Sequence, residues 1–301
     1  MLSEAFLKEL KKSNIFFRTE EKMSGHTTFK IGGPADVFVS VSNAEQLKTV
    51  LSAAKATETK WFIIGKGSNL LVSDLGIEGA VISLDGMDMI DVCGNTVVCG
   101  AGARLSAVCR VAEESGLSGL EFAYGIPGGI GGALYMNAGA YGGEISEVAA
   151  EARCMDCDGN VFTLGAEEMK FGYRTSVFRE KGYIVLSAKF ALKNGNSAEI
   201  RSRMEDYLFR RKSKQPLEYP SAGSTFKRPN GYYAGALIEK NGFKGKHCGD
   251  AAVSEKHAGF IINKGNAAAS DVEALIKSIQ DSVLKNDGVK LETEVIRVGR
   301  R

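Results

Sequence analysis

The chain of 301 residues is 44% hydrophobic and 25% charged, with a formal net charge of +2. This length and balance fit a globular protein of two or three packed units. A charge so close to zero leaves no broad field for a nucleic acid or a membrane surface, so an anionic ligand has to be held by local clusters.

In chain order, MLSEAFLKELKKSNI sets Leu2, Phe6, Leu7 and Leu10 among charges, the pattern of an amphipathic helix and not of a secretory h-region. No stretch approaches the roughly 18 apolar residues of a membrane span, and a cytoplasmic protein is the expectation. Residues 37–41 read as a strand, a helix capped near Asn43 runs to about residue 57, and the strand 61–64 leads into the glycine turn GKGSNLLVSD. With a further strand at 80–84, this β-α-β pattern makes a first unit, residues 1–83. The middle unit, residues 84–213, opens with a hairpin around Gly94-Asn95, followed by a helix from Leu105 to about Ser115 stopped by Gly116. A second hairpin turns at Asp158-Gly159-Asn160, a strand covers 183–192, and a helix from Ser197 ends in Arg210, Arg211, Lys212 and Lys214. In the last unit, residues 214–301, Ser270 and Glu273 read as a capping box ahead of the stripe Val272, Leu275, Ile276, Ile279 and Val283. The strand LETEVIRVG closes the chain, and the class is α+β.

Cys154 and Cys157 form one C-x-x-C, but no second pair at zinc spacing follows. On a strand, residues three apart face opposite sides, so the pair reads as structural. Cys93, Cys99, Cys109 and Cys248 read as small core or strand residues. With His26, His247 and His257 the only histidines, no metal site is expected.

Residues 125–143, GIPGGIGGALYMNAGAYGG, hold eight glycines in nineteen positions. Glycine admits φ > 0 and close approach of backbone N–H groups to a ligand, at the greatest ordering cost of any residue. Ile126, Ile130, Leu134 and Met136 argue against a flexible linker. The run reads as a backbone cradle for a large anionic cofactor, most simply a dinucleotide, or as a set of tight turns. GKGSNLL, residues 65–71, fits neither the Walker A nor the Rossmann pattern, yet its N–H groups suit a pyrophosphate. Arg174, among the aromatics of FGYRTSVF, reads locally as a surface cation–π partner. Ser224 in AGSTFKRP lacks the G-x-S-x-G elbow and a neighbouring histidine, which disfavours a serine hydrolase and leaves a turn serine. Glu292 and Glu294 share a strand face with Ile296 and Val298, and alternation does not choose between them. The positive charges from Arg201 to Arg228 exceed what helix capping needs and suit substrate phosphates.

FKIGGPAD, IGKGSNLLVSD, IPGGIGGALYMNAGAYGGE, FGYRTSVF, AGSTFKRP, AAVSEKHAGFIIN and LETEVIRVG stand in one order within about residues 27–299. Together they resemble the UDP-N-acetylenolpyruvoylglucosamine reductase (UDP-N-acetylmuramate dehydrogenase) family of bacterial cell-wall precursor synthesis. The resemblance implies a vanillyl-alcohol-oxidase/PCMH-type FAD-binding fold in two subdomains, residues 1–83 and 84–213. A C-terminal α+β substrate-binding domain, 214–301, follows, its last residues free to return to the first subdomain. It implies an NADPH-dependent flavoenzyme reducing the enolpyruvyl group of UDP-N-acetylglucosamine enolpyruvate to give UDP-N-acetylmuramate. Hydride would pass from flavin N5 to C3.

By the same resemblance, Ser224 donates the proton to C2, Arg174 stabilises the enolate-like charge at the substrate carboxylate, and Glu294 assists. FAD contacts carry over to Gly65, Lys66, Gly67, Ser68, Asn69 and Leu70, to Pro127, Gly128, Gly131 and Gly132, and to Asn137, Ala138, Gly139 and Arg211. Substrate or nicotinamide-cofactor contacts carry over to Tyr141, Lys214, Lys227, Arg228 and His257. Arg228 stands where some members carry asparagine. After Phe178 the chain turns directly into the next strand, as in a short subclass without a tyrosine-bearing insertion. No histidine or cysteine lies in either glycine motif, so FAD is expected to be non-covalent, in a monomer or weak oligomer. A related FAD-linked alcohol or sugar oxidase, or a flavin-binding module without catalysis, are the alternatives. The joint presence of Arg174, Ser224 and Glu294 argues against the module.

Overall fold

Local signals become elements for identifiable reasons in the computed structural model, which describes residues 3–301; Leu2 of the N-terminal stripe lies outside the described residues. The helix Glu4–Lys12 buries Phe6 and Leu10, one turn apart on one side. Asn43 caps the helix Ala44–Ala56 by accepting the Gln46 N–H at 2.9 Å, and Leu47, Val50, Leu51 and Ala54 fill its inner face. The helix Leu105–Glu114 stops where Gly116 adopts φ +68°, a left-handed closure that a Cβ would oppose.

The chain divides into two units. The first takes in residues up to 18, 37–66 and 79–211. Its five-stranded antiparallel sheet runs Val161–Gly165, Ala149–Met155, Ile184–Ala191, Thr96–Gly100, Ile90–Cys93. Both expected hairpins are present in it. The chain enters and leaves this unit along strands of a four-stranded sheet ordered Phe16–Lys22, Pro34–Ser40, Ile77–Ser83, Trp61–Ile64. Trp61–Ile64 lies parallel to its neighbour Ile77–Ser83. One cluster that includes Val39, Leu51, Ile82, Val97, Leu134, Phe178 and Phe190 forms the core. Cys99 and Cys154 belong to it, and burial pushes both thiols up to about 12, so they act as small apolar residues. Cys157 is exposed in the following turn, and neither it nor Cys154 is in a disulfide.

The second unit gathers residues 19–36, 67–78 and 212–301. Its antiparallel sheet runs Ser221–Ser224, Phe260–Asn263, Ala251–Val253, His247–Cys248. Phe29, Ile31 and Leu71 join Val253, Ile261, Leu275, Ile276 and Ile279 in its core. Of LETEVIRVG only Ile296–Val298 is strand, parallel to Leu70–Val72. The helix Ala269–Asp287 buries the expected stripe, but its N-terminus differs from the expected Ser270–Glu273 box. The Asp271 carboxylate accepts the Ala268 N–H, and the carboxylate of Asp74 accepts those of Ala269 and Ser270 at 2.7 and 3.0 Å. A ready-made acceptor from a distant segment thus displaces the local one. Among the described residues no helix is long and apolar enough to cross a membrane.

Candidate active site

The glycines of the two motifs separate by what a Cβ would meet. At Gly67, φ is +60° and a Cβ would lie 2.2 Å from the His26 carbonyl oxygen. At Gly139 it would lie 2.8 Å from the Gly143 oxygen, and at Gly143 2.7 Å from the Phe122 ring. These glycines are needed for packing. Tyr141 and Gly142, with φ +55° and +89°, form the two-residue turn between Gly139–Ala140 and Gly143–Glu144. Gly65 and Gly132 are different. Both are exposed with φ outside the left-handed range, and a Cβ on either would meet nothing within 4 Å. Neither packing nor conformation asks for glycine there, which leaves close approach of a partner from outside the chain.

A second observation fits an anionic cofactor. Among the described residues, two buried side-chain polar atoms lack a hydrogen-bond partner, Arg211 Nε and Gln215 Oε1. Burial pulls the Arg211 guanidinium below its ordinary value, and an unmet buried donor costs about 1–3 kcal/mol. Its Cδ lies 3.1 Å from where a Gly125 Cβ would be, so that glycine leaves room for the side chain. The donor set therefore fits FAD, with Arg211 and the open backbone at Gly65 and Gly132 as the groups to hold it. Lys66 ion-pairs with Asp85 at 2.8 Å. Pro127 is exposed, Gly128 adopts φ +155°, and Gly131 packs against Ala101. Ala138 donates to the Ala133 carbonyl. Tyr141 stacks on Tyr207 at 4.9 Å and 1° between planes, and burial raises its hydroxyl pKa against the opposing pull of Arg211. Tyr207 was not among the sequence candidates; its only local signal is the one-turn spacing to Arg211.

Arg174 lies in the same unit, in the turn Gly172–Thr175, whose ends exchange backbone bonds of 3.0 and 3.3 Å. Its φ is +56°. The guanidinium donates to the Asn137 and Gly139 carbonyls at 3.4 and 3.3 Å and lies 5.4 Å from the Tyr173 ring, so the cation–π reading is also realised. Asn137 is 1% exposed, with φ +44°. Its amide donates to Gly172 O at 3.2 Å and accepts Ser146 N–H at 3.0 Å. Ser176 and Arg179 complete the brace by donating to the Tyr135 and Arg174 carbonyls.

The second unit brings the Ser224 and Glu294 segments together. Ser224 ends its strand beside Phe260, after a register shift and a left-handed Gly223 at φ +75°. The next residue, Thr225, donates its N–H to Gly259 O at 2.8 Å and accepts the Glu294 N–H at 2.9 Å. Asn69 ties in from the glycine motif, its side chain donating to Glu294 O at 3.1 Å and its carbonyl accepting the Ile296 N–H. Ser68 is half-buried beside it, and Leu70 is in the strand paired with Ile296. Lys227 ion-pairs with Glu292 at 3.2 Å, so the two glutamates have different surroundings. Arg228 lies 4.1 Å over the Tyr233 ring, and Lys214 is the exposed last residue of its helix. The His257 Nδ1 accepts the Gly259 N–H at 3.1 Å. Burial is the chief cause that pulls this imidazole below its ordinary value, so the neutral ring presents Nε2–H. Among the described residues no group of three or more His, Cys, Asp or Glu side chains could hold a metal ion.

Comparison with known proteins accounts for both halves of this arrangement. Residues 35–165 match the FAD binding domain family, and residues 215–298 match the family described as UDP-N-acetylenolpyruvoylglucosamine reductase, C-terminal domain. The UDP-N-acetylenolpyruvoylglucosamine reductase of Lactococcus lactis subsp. cremoris MG1363 is 47% identical over 301 residues, covering 100% of both chains. That of Clostridium novyi NT is 50% identical over 277 residues, 92% of this chain and 90% of its own. The crystal structure of the Thermus caldophilus UDP-N-acetylenolpyruvylglucosamine reductase superposes with a TM-score of 0.81 at 36% identity, covering 94% of this chain and 98% of that one. The architecture is an α+β FAD-binding fold with a C-terminal α+β domain. This oxidoreductase chain belongs to the UDP-N-acetylenolpyruvoylglucosamine reductase family.

Proposed function

We propose that the protein uses NADPH to reduce the enolpyruvyl group of UDP-N-acetylglucosamine enolpyruvate, giving UDP-N-acetylmuramate for peptidoglycan. The observation that carries this reading is the 47% identity to the Lactococcus lactis enzyme over all 301 residues. FAD, when bound, supplies hydride from N5 to C3 of the enolpyruvyl group. The chain's residues then manage the charge that develops on C2 and its carboxylate. Arg174 offers a fixed guanidinium to that carboxylate, worth most when the charge is greatest. Ser224 gives its hydroxyl proton to C2; the strong basicity of the enolate compensates for a poor acid, provided position is exact in the sense of a fixed turn. Glu294 assists in polarising the same group. Residues 214–301 provide most of the substrate contacts, with Lys214, Lys227 and Arg228 meeting phosphates; His257 and Tyr141 are further substrate contacts.

The test is anaerobic. NADPH should bleach the flavin absorbance of the purified protein, and the enolpyruvyl nucleotide should restore it with formation of UDP-N-acetylmuramate. Bleaching without restoration would sink the reading. Ser224→Ala is expected to keep the bleaching step and to lose about a thousandfold or more in turnover, the scale of general-acid catalysis. An equal loss in bleaching would deny Ser224 the proton-donor role.

A further inference from the structure

We infer that Asn137 is a positioning residue for Arg174, holding its guanidinium in the pose that meets the substrate carboxylate; this rests on the function proposed above. The site of Arg174 needs such support. In a turn of the Gly172–Thr175 type, the residue before the last, with φ > 0, is a place for glycine or asparagine, and Arg174 occupies it at +56°. A strained turn persists only where its surroundings over-determine it.

Asn137 braces that turn at two points. Its side-chain amide donates to Gly172 O at the base of the turn, and its own carbonyl accepts from Arg174 Nη1 at the tip. The second bond, like that from Nη2 to Gly139 O, is long at 3.4 and 3.3 Å. Long bonds to neutral carbonyls hold the guanidinium near its station yet yield readily to a charged carboxylate, which accepts more strongly.

The identity of residue 137 follows from three simultaneous demands. It must donate to Gly172 O, accept from Ser146 N–H at 3.0 Å, and adopt φ +44° while 1% exposed. Asparagine meets all three; aspartate lacks the donor, and glycine keeps only the backbone freedom. With both ends of its side chain engaged inside the protein, Asn137 acts through Arg174.

Asn137→Asp and Asn137→Gly dissect these demands, each purified with FAD and compared with wild type, Arg174→Gln and the double variants. In stopped flow, restoration of the flavin by the enolpyruvyl nucleotide should slow about 10- to 100-fold more than bleaching by NADPH, as expected of a misplaced group. The effect should nearly vanish in the Arg174→Gln background, where no guanidinium remains to be placed. Calorimetric affinity for UDP-N-acetylmuramate should fall in the single variants and not further in the doubles. Equal slowing of both half-reactions, or full additivity with Arg174→Gln, overturns the inference. If neither variant keeps the wild-type circular dichroism, Asn137 serves folding and the inference also fails. A wild-type flavin that the enolpyruvyl nucleotide does not restore defeats the proposed function instead; the Asn137–Arg174 coupling is then decided by whether their effects on thermal unfolding are non-additive.

Discussion

Glycine at position 132 costs helix stability and returns nothing to the fold. It lies in the helix Ile130–Tyr135 with open space where a Cβ would point. Gly132→Ala is therefore expected to raise thermal stability by up to about 1 kcal/mol while weakening FAD binding about tenfold or more. Unchanged FAD affinity, measured by flavin fluorescence titration, would remove Gly132 from the cofactor site. His257 carries a second residue-scale prediction. Burial first, and Lys244 in addition, pull its pKa below 6.5, against an opposing Glu239. The folded chain then binds fewer protons than the unfolded one in the window just below 6.5, so stability grows with pH across it and is lost on acidification. His257→Gln should flatten that part of the urea-stability curve between about pH 5 and pH 7; an unaltered slope would show that other groups set it. Glycine density alone pointed only to a cradle, and Arg174 read locally as a cation–π partner; through the family resemblance the sequence marked Gly132, Asn137 and Arg174 as site candidates. It could not show that the Asn137 amide is spent on Gly172 and Ser146, since those contacts span up to 35 residues.

At the scale of elements, the helix Ala269–Asp287 shows how a correct stripe can come with an incorrect cap. Apolar spacing at Val272, Leu275, Ile276, Ile279 and Val283 is a local property, and all five are buried as expected. The cap is tertiary in part: Asp271 accepts the Ala268 N–H locally, but Asp74, 195 residues before Ala269, accepts the next two. Asp74→Ala should cost about 1–2 kcal/mol, the range for losing a capping carboxylate. Ser270→Ala should stay within about 0.5 kcal/mol, since Ser270 is exposed and does not cap. Urea denaturation of both variants checks this, and a larger loss at Ser270 would restore the local capping box. The two hairpins and the helix Ala44–Ala56 were legible throughout, because Gly94, Gly159 and Asn43 perform their work within a few residues.

For the whole molecule, the decisive feature is how three separated segments share the core of the second unit. Thr28 donates to Ser221 O at 2.7 Å, Asn263 to Phe29 O at 3.1 Å, and Asn69 to Glu294 O, each across roughly two-thirds of the chain or more. Phe29, Ile31 and Leu71 complete the core around Leu275 and Ile279, and Ile296–Val298 has its strand partner at Leu70–Val72. Residues 212–301 expressed alone are therefore expected to lack cooperative unfolding and amide dispersion in NMR, whereas a fold with sharp dispersion would show that the other two segments are dispensable. By itself the sequence determined the α+β class, the helices and hairpins, the glycine motifs and the family resemblance, all of which rest on local periodicity, turn chemistry and ordered strings. Only the tertiary structure decided which glycines pack and which stay open, what caps the Ala269–Asp287 helix, and which asparagine braces Arg174. Those outcomes depend on atoms brought together from distant segments, and no local pattern encodes the distance between them.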